Sequence, residues 1–386
     1  LGMLFKEIIG QQDIKNQMIL SIQEGRIPHA MLFEGPSGIG KLQLAIAYAQ
    51  FLACPHRTST DACGQCPTCL QYSKLQHPDL HFAFPIVKQD NKDCCDDYYD
   101  SFRNIILNKK YFDLEDWYKE INCEKKQGMI YEKESSEILR KLTLKSFGNG
   151  YKVMIIWQAD KMNLTCANKL LKLLEDPPAK TIFILISNNP DLLIPTILSR
   201  VQRFHIRKLT QQDIQAALQE RYAPKNLTTE TIEDYAHIAN GNYIEASRLA
   251  QEHEENDLYF KFFVQLMRSA WLVGNKKDYT ALQQIKQWSQ DIADTNNFGR
   301  EKQKAFLQYA QKQIRENYIF NFNEKQMLYQ TQAERDFSKR FSPYVSEQNI
   351  DKLIYEFDSA EQQITQNGNA KIVFFDLCLH IILLMK

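Results

Sequence analysis

The first thing this sequence lacks is net charge. Its 47 Lys and Arg residues balance 47 Asp and Glu, so no global field marks a nucleic-acid or membrane partner. Any contact with DNA would then be local, or made together with other subunits. Long apolar runs are missing too. The longest, Ile372 to Met385, contains Asp376 and His380 and is too short to span a bilayer. The segment Met3-Leu4-Phe5-Lys6-Glu7 lacks the basic-then-apolar order of a signal peptide, and the expectation is a soluble, cytoplasmic protein with no membrane partner. Chain breakers become scarce after residue 200, where only Pro224, Pro343, Gly241, Gly274, Gly299 and Gly368 occur. So few breakers over that length argue for an all-helical second half.

A specific oxygen is missing as well. Gly35-Pro36-Ser37-Gly38-Ile39-Gly40-Lys41 fits the first seven positions of the phosphate-binding loop G-x-x-x-x-G-K-[ST]. In that loop backbone N–H groups cradle phosphates, and the Lys reaches the β and γ positions. Ala30–Phe33 reads as a buried strand before the loop, and Gln43–Ala49 as a helix after it. The eighth position, where Ser or Thr gives Mg²⁺ its protein oxygen, is Leu42. A second deficit follows the apolar strand Tyr151–Ile156. An active ATPase places there one acid for the metal and one for the attacking water, whereas this chain has Trp157 and Gln158. Asp160, three residues along in a turn, is expected to face elsewhere. Gly35, Gly38, Gly40 and Lys41 are therefore candidates for weak phosphate binding at most, without hydrolysis of ATP.

Nine cysteines are present, and four cluster as Cys54-x8-Cys63-x2-Cys66-x2-Cys69. A C-x2-C pair in a tight turn offers two thiolates with the bite that a tetrahedral zinc site needs, so these four are candidate structural zinc ligands. Two alternatives stay open: His56 in place of Cys54, or four unrelated thiols. Cys94, Cys95, Cys123, Cys166 and Cys378 show no ligand spacing and read as reduced thiols.

His81–Phe84 and Thr181–Ile186 read as further strands, and Phe204–Ile206 as a last short one. Glu134–Leu144 reads as a helix capped by Ser135 or Ser136. Strands alternating with helices argue for a parallel α/β sheet. The stretch from about 88 to 127, acidic and aromatic, reads as an inserted helical excursion whose aromatics serve packing. Short helices to about residue 251, with Gly241 at a helix end, look like a small lid. The remainder reads as a separate bundle. The expected fold class is α/β followed by all-α.

The motifs Gly10-Gln11, His29-Ala30, the phosphate loop, the four cysteines, Leu170–Pro178 and Ile197-Leu198-Ser199-Arg200 together resemble the AAA+ subunits of bacterial DNA polymerase III clamp loaders. The resemblance covers residues 3–87 and 128–250 by motif, and the C-terminal bundle only in texture. It implies an AAA+ P-loop domain over 3–207, interrupted by the zinc knuckle at 54–69 and the insertion at about 88–127. A helical lid over 208–251 and a helical collar over 252–386 follow. It also implies an arginine finger, Arg200, with Ser199 beside it, acting on a neighbouring subunit's nucleotide. Val201 replaces the Cys of the family's Ser-Arg-Cys motif, and Ile244 stands where ATPase members place an Arg after the Gly241 position. The gamma or tau ATPases of this family carry Thr or Ser after the loop Lys and an acidic pair after the third strand. Leu42, Trp157 and Gln158 resemble the branch whose nucleotide site is degraded. The implied partners are the gamma/tau ATPase and delta subunits and, through the complex, the sliding clamp and primer–template DNA. Rival readings are a working NTPase with other metal ligands, and an AAA+-like adaptor outside replication.

Overall fold

The computed structural model describes residues 3–89, 92–144, 146, 150–222, 227–294, 298–322 and 329–385. Residues 90–91 of the expected insertion, 223–226 of the expected lid, and 295–297, 323–328 and 386 of the expected collar lie outside them. The chain divides into two compact units, Leu1–Arg221 with Ala239–Ser247, and Tyr222–Ile238 with Arg248–Lys386.

The first unit is built on strands β1 (Ala30–Glu34), β2 (Leu80–Ala83), β3 (Lys152–Trp157), β4 (Thr181–Ser187) and β5 (Gln202–His205). They pair in parallel in the order β2-β3-β4-β1-β5. Every residue of β1, β3 and β4 is buried, as continuous apolar runs in a sheet covered on both faces should be. Its helices are α1 (Gln12–Gln23), α2 (Lys41–Ala53), α3 (Pro67–Ser73), α4 (Tyr99–Lys109), α5 (Leu114–Glu120), α6 (Glu132–Thr143), α7 (Leu164–Glu175), α8 (Pro195–Leu198) and most of α9 (Gln211–Tyr222). Helix α2 is buried on every side from Lys41 to Leu52, which explains why its sequence has no polar face. Helix α6 starts before the expected serine caps, with Tyr131 at its N-cap, and Ser135 instead donates to the Glu132 carbonyl at 2.6 Å.

The region from 92 to 127 is an integral part of this unit. An antiparallel bridge between Ile86 and Met129 closes its stem. Phe102 of α4 stacks on Phe84 at 3.9 Å and meets Trp117 of α5 edge-on at 5.4 Å. The Trp117 indole N–H donates to the Pro85 carbonyl at 2.7 Å. The aromatics that read as an excursion therefore extend the core past the end of β2.

The second unit is helical, comprising α10 (Thr229–Ile238), the end of α11 (Tyr243–Gln251), α12 (His253–Lys276), α13 (Ala281–Ile292), α14 (Arg300–Phe320), α15 (Gln332–Phe341), α16 (Ile350–Thr365) and α17 (Ala370–Leu384). Trp288, Phe306, Phe357 and Phe374 lie in one continuous core, and the Trp288 indole N–H is satisfied by the Phe262 carbonyl at 2.9 Å. Buried Asp234 accepts from the Gln332 N–H at 2.7 Å and pairs with Arg335, tying α10 to the start of α15. Thr228 caps α10 by accepting from the Thr231 N–H. Among the described residues no helix is long and apolar enough to cross a membrane. The α/β-then-all-α class expected from the sequence is the one observed.

Candidate functional site

The phosphate loop leaves β1 at Gly35 and turns through Gly38 (φ 76°) and Gly40 (φ 88°), both in the left-handed region that favours glycine. Lys41 opens α2. Its ammonium folds back onto the loop, donating to the Gly35 carbonyl at 2.6 Å and to the Pro36 carbonyl. Burial lowers the Lys41 pKa to about 7, while the Asp160 carboxylate pulls the other way. Leu42 is buried beside it and offers no oxygen.

At the end of β3, Trp157 and Gln158 are both buried, and neither side chain can ionise to a carboxylate. Gln158 takes a left-handed conformation (φ 56°) that redirects the chain into a single 3₁₀ turn, Ala159–Lys161. This corrects the expectation for Asp160. Its carboxylate turns back to the end of β4, accepting from the Ser187 hydroxyl at 2.8 Å, and lies close enough to act on Lys41. An acid is therefore near the loop, but it is already hydrogen-bonded to Ser187.

The space over the loop is filled from two directions. From the start of α11, the Tyr243 N–H donates to the Gly38 carbonyl at 3.1 Å, and a Cβ on Gly38 would sit 1.7 Å from Asn242 Oδ1. From the α4–α5 connection come Tyr111 and Phe112. A cavity of about 30 Å³ remains, lined by Gly38, Lys41, Tyr111, Phe112, Trp157 and Ile244 among others. That is room for about one water. Tyr111, Phe112 and Asn242 are the site residues that sequence reasoning missed, and Asp160 is one that it named but expected to face elsewhere. Only Asn242 had a signal, its place directly after Gly241 in the expected lid.

The four clustered cysteines do converge. Cys54 ends α2, Cys66 is the N-cap of α3 with Pro67 at the first helical position, and Cys69 lies inside that helix. Their sulfurs all lie within 4.8 Å of one another, with Cys54–Cys63 at 3.6 Å, Cys63–Cys69 at 3.9 Å and Cys54–Cys66 at 4.0 Å. A tetrahedron with metal–sulfur bonds of about 2.3 Å has edges of roughly 3.8 Å, so the set fits. The N–H groups of Cys63, Cys66 and Cys69 each point at the preceding ligand's sulfur at 3.4 Å, the arrangement that stabilises thiolates. His56 is exposed and outside this group. The four thiols can hold a metal ion, and all four tetrahedral positions are protein sulfur.

Ser199 and Arg200 follow the short helix α8. The Arg200 guanidinium donates to the Thr196 carbonyl at 2.8 Å and the Ser199 hydroxyl at 3.3 Å, and pairs with Glu175 at the end of α7. The Arg200 side chain remains 32% exposed and Glu175's 50%. Arg200 is thus a surface cation resting on an acid of its own chain, apart from the phosphate-loop cavity lining. Val201, next in the chain, is buried.

A family model described as DNA polymerase III, delta subunit, matches residues 10–210, more than half of the chain. The chain belongs to this family. Its relatives include the delta' subunit of Bacillus subtilis strain 168, 29% identical over 234 residues, covering 61% of this chain and 57% of that protein. The delta' subunit of Pseudomonas aeruginosa is 31% identical over 173 residues, covering 45% and 41%. The tau subunit of Bacillus subtilis is 26% identical over 250 residues, covering 64% of this chain but 37% of that protein. In each case the match spans less than two thirds of the relative. The clamp-loader resemblance read from the motifs is borne out at the level of the family, on the delta' side. A gamma-subunit-related protein of Thermotoga maritima aligns over 96% of this chain at 11% identity, with a TM-score of 0.39, too low to bear on the fold.

Proposed function

We propose that this chain is a non-ATPase subunit of a DNA polymerase III clamp loader. It would support ATP-dependent loading of the sliding clamp on primed DNA without hydrolysing ATP itself. The observation that carries this reading is the phosphate-loop pocket. Its Lys is turned onto the loop's own carbonyls, its metal and water-activating positions are Leu42, Trp157 and Gln158, and its free volume is about that of one water. A subunit with such a pocket contributes to someone else's chemistry. Arg200, released from Glu175, is the group we assign to that task, with Ser199 orienting it. A guanidinium arriving from outside stabilises charge on the transferred phosphoryl group, worth on the order of 10³–10⁵ in rate where it has been measured.

The partners in this reading are gamma/tau ATPase and delta subunits, with the clamp and primer–template DNA reached through the complex. Its place is the cytoplasm, and its link to DNA polymerase III is by complex membership. Residues 3–207 serve as the AAA+ domain, 208–251 as the lid and 252–386 as the oligomerising collar. The Cys54/Cys63/Cys66/Cys69 site holds structural zinc; with no open position it supplies no chemistry. Reconstitution tests the reading. Adding the chain to gamma/tau and delta subunits should restore DNA-stimulated ATPase and clamp loading, and a mixture equally active without it refutes the proposal.

A further inference from the structure

The α4–α5 connection enters the phosphate-loop pocket in a way that ordinary surface packing does not require. Lys110 sits at the centre of a tight three-residue turn (φ 64°, ψ −65°), in which the Tyr111 N–H donates to the Lys109 carbonyl at 2.8 Å. The Lys110 carbonyl accepts from the Gln43 amide of α2, and its ammonium pairs with Glu7 at 3.3 Å. The next two residues, Tyr111 and Phe112, are 6% and 7% exposed. The Tyr111 hydroxyl accepts the Ile9 N–H at 3.1 Å. Its ring lies against Gly40, where an added Cβ would come within 3.2 Å of it, and meets the Tyr243 ring edge-on at 5.0 Å. Phe112 covers the end of β3, 5.1 Å from Trp157. Burial also pushes the Tyr111 phenol up, so it is neutral throughout the working range.

What Tyr111 does there is chemically specific. A planar aromatic ring, wedged between a glycine and a second aromatic, accepts one backbone N–H at its edge. A purine base with an edge nitrogen makes the same demands, and its phosphates would then reach the amides of Gly38 to Lys41. We propose that Tyr111 and Phe112 are a built-in occupant of the nucleotide pocket. They exclude purine nucleotides by occupying the place of the base, and their removal reopens that part of the seat. This inference rests on the non-ATPase reading of the pocket, and adds that the insertion between β2 and β3 fills the place of the base, as the start of α11 covers Gly38.

The experiment measures ADP binding without metal by calorimetry, because no magnesium ligand remains to require one. The wild-type chain should show no saturation at about 1 mM, the weak end of specific binding. Tyr111→Ala/Phe112→Ala should gain at least about tenfold in affinity, and adding Lys41→Ala should abolish the gain. A double variant that keeps its metal content and a cooperative melt yet still ignores ADP overturns the proposal, as does tight ADP binding by the wild type. Tyr111→Phe keeps the ring and decides the matter whether or not the double variant folds. Losing one hydrogen bond should speed exchange of the Ile9 amide about fivefold, with ADP still excluded. An unchanged Ile9 amide overturns the proposal. None of these failures touches the non-ATPase reading, which falls with Mg-ATP turnover by the wild type.

Discussion

Replacing Phe102 with Ala tests whether the insertion is part of the core or an appendage. Phe102 is fully buried and touches Phe82 at 5.7 Å, Phe84 at 3.9 Å, Phe112 at 6.1 Å, Trp117 at 5.4 Å and Trp157 at 5.7 Å, so it joins the insertion to β2 and β3. Emptying a buried Phe site costs about 3–5 kcal/mol. The loss of several aromatic pairs, each worth roughly 0.5–1.5 kcal/mol, favours the upper end. In a unit of this size 1 kcal/mol moves Tm by about 2–4 °C, so the expected drop is roughly 6–20 °C. Differential scanning calorimetry reads it, with the transition of the helical unit as internal reference. A drop under about 2 °C would mean that the ring sits on a surface able to collapse around its absence, and the insertion would not be core.

Arg200→Ala should shift Tm by no more than about 2–4 °C, because a half-exposed ion pair with Glu175 contributes roughly 0–1 kcal/mol. It should nonetheless cut DNA-stimulated ATPase of a reconstituted complex by about tenfold or more. Arg200→Lys should do nearly as badly, since an ammonium lacks the planar fork. A normal loading rate with either variant would make Arg200 structural. Metal analysis of the purified chain should find one zinc, and chelation should lower the melting temperature of the α/β unit without changing any catalytic readout; a chain with well under one zinc contradicts the assignment. Burial, helped by Lys141 and Lys152, lowers His81 to about 4. A histidine held neutral in the fold supports stability above its unfolded pKa near 6.5. That support should fade as pH falls from about 6.5 towards 4, by up to roughly 3 kcal/mol. His81→Gln should flatten this limb of the stability curve, and an unchanged pH profile would assign the loss to other groups.

Local pattern made much of this molecule readable. The glycine spacing of the phosphate loop, the unbroken apolar runs of β3 and β4, and the C-x2-C pairs are all short-range signals. Leu42, Trp157 and Gln158, on which the non-ATPase proposal rests, were legible for the same reason, since they stand at fixed offsets from recognisable elements. The features that were not legible are non-local. Tyr111 meets Gly40, and also Ile9 at a separation of 102 residues, with no periodicity to announce either contact. Asp160 turns back towards Lys41 because Gln158 adopts a positive φ, which nothing about a glutamine foretells. Glu175, inside the Leu170–Pro178 motif, became the partner of Arg200 only once α7 and α8 were placed side by side.

The most direct test of the central claim is steady-state Mg-ATP hydrolysis by the purified chain alone, with Lys41→Ala as control. No turnover above background and no difference between the two proteins are expected. Turnover by the wild type that Lys41→Ala abolishes would contradict that claim and make this chain a working ATPase.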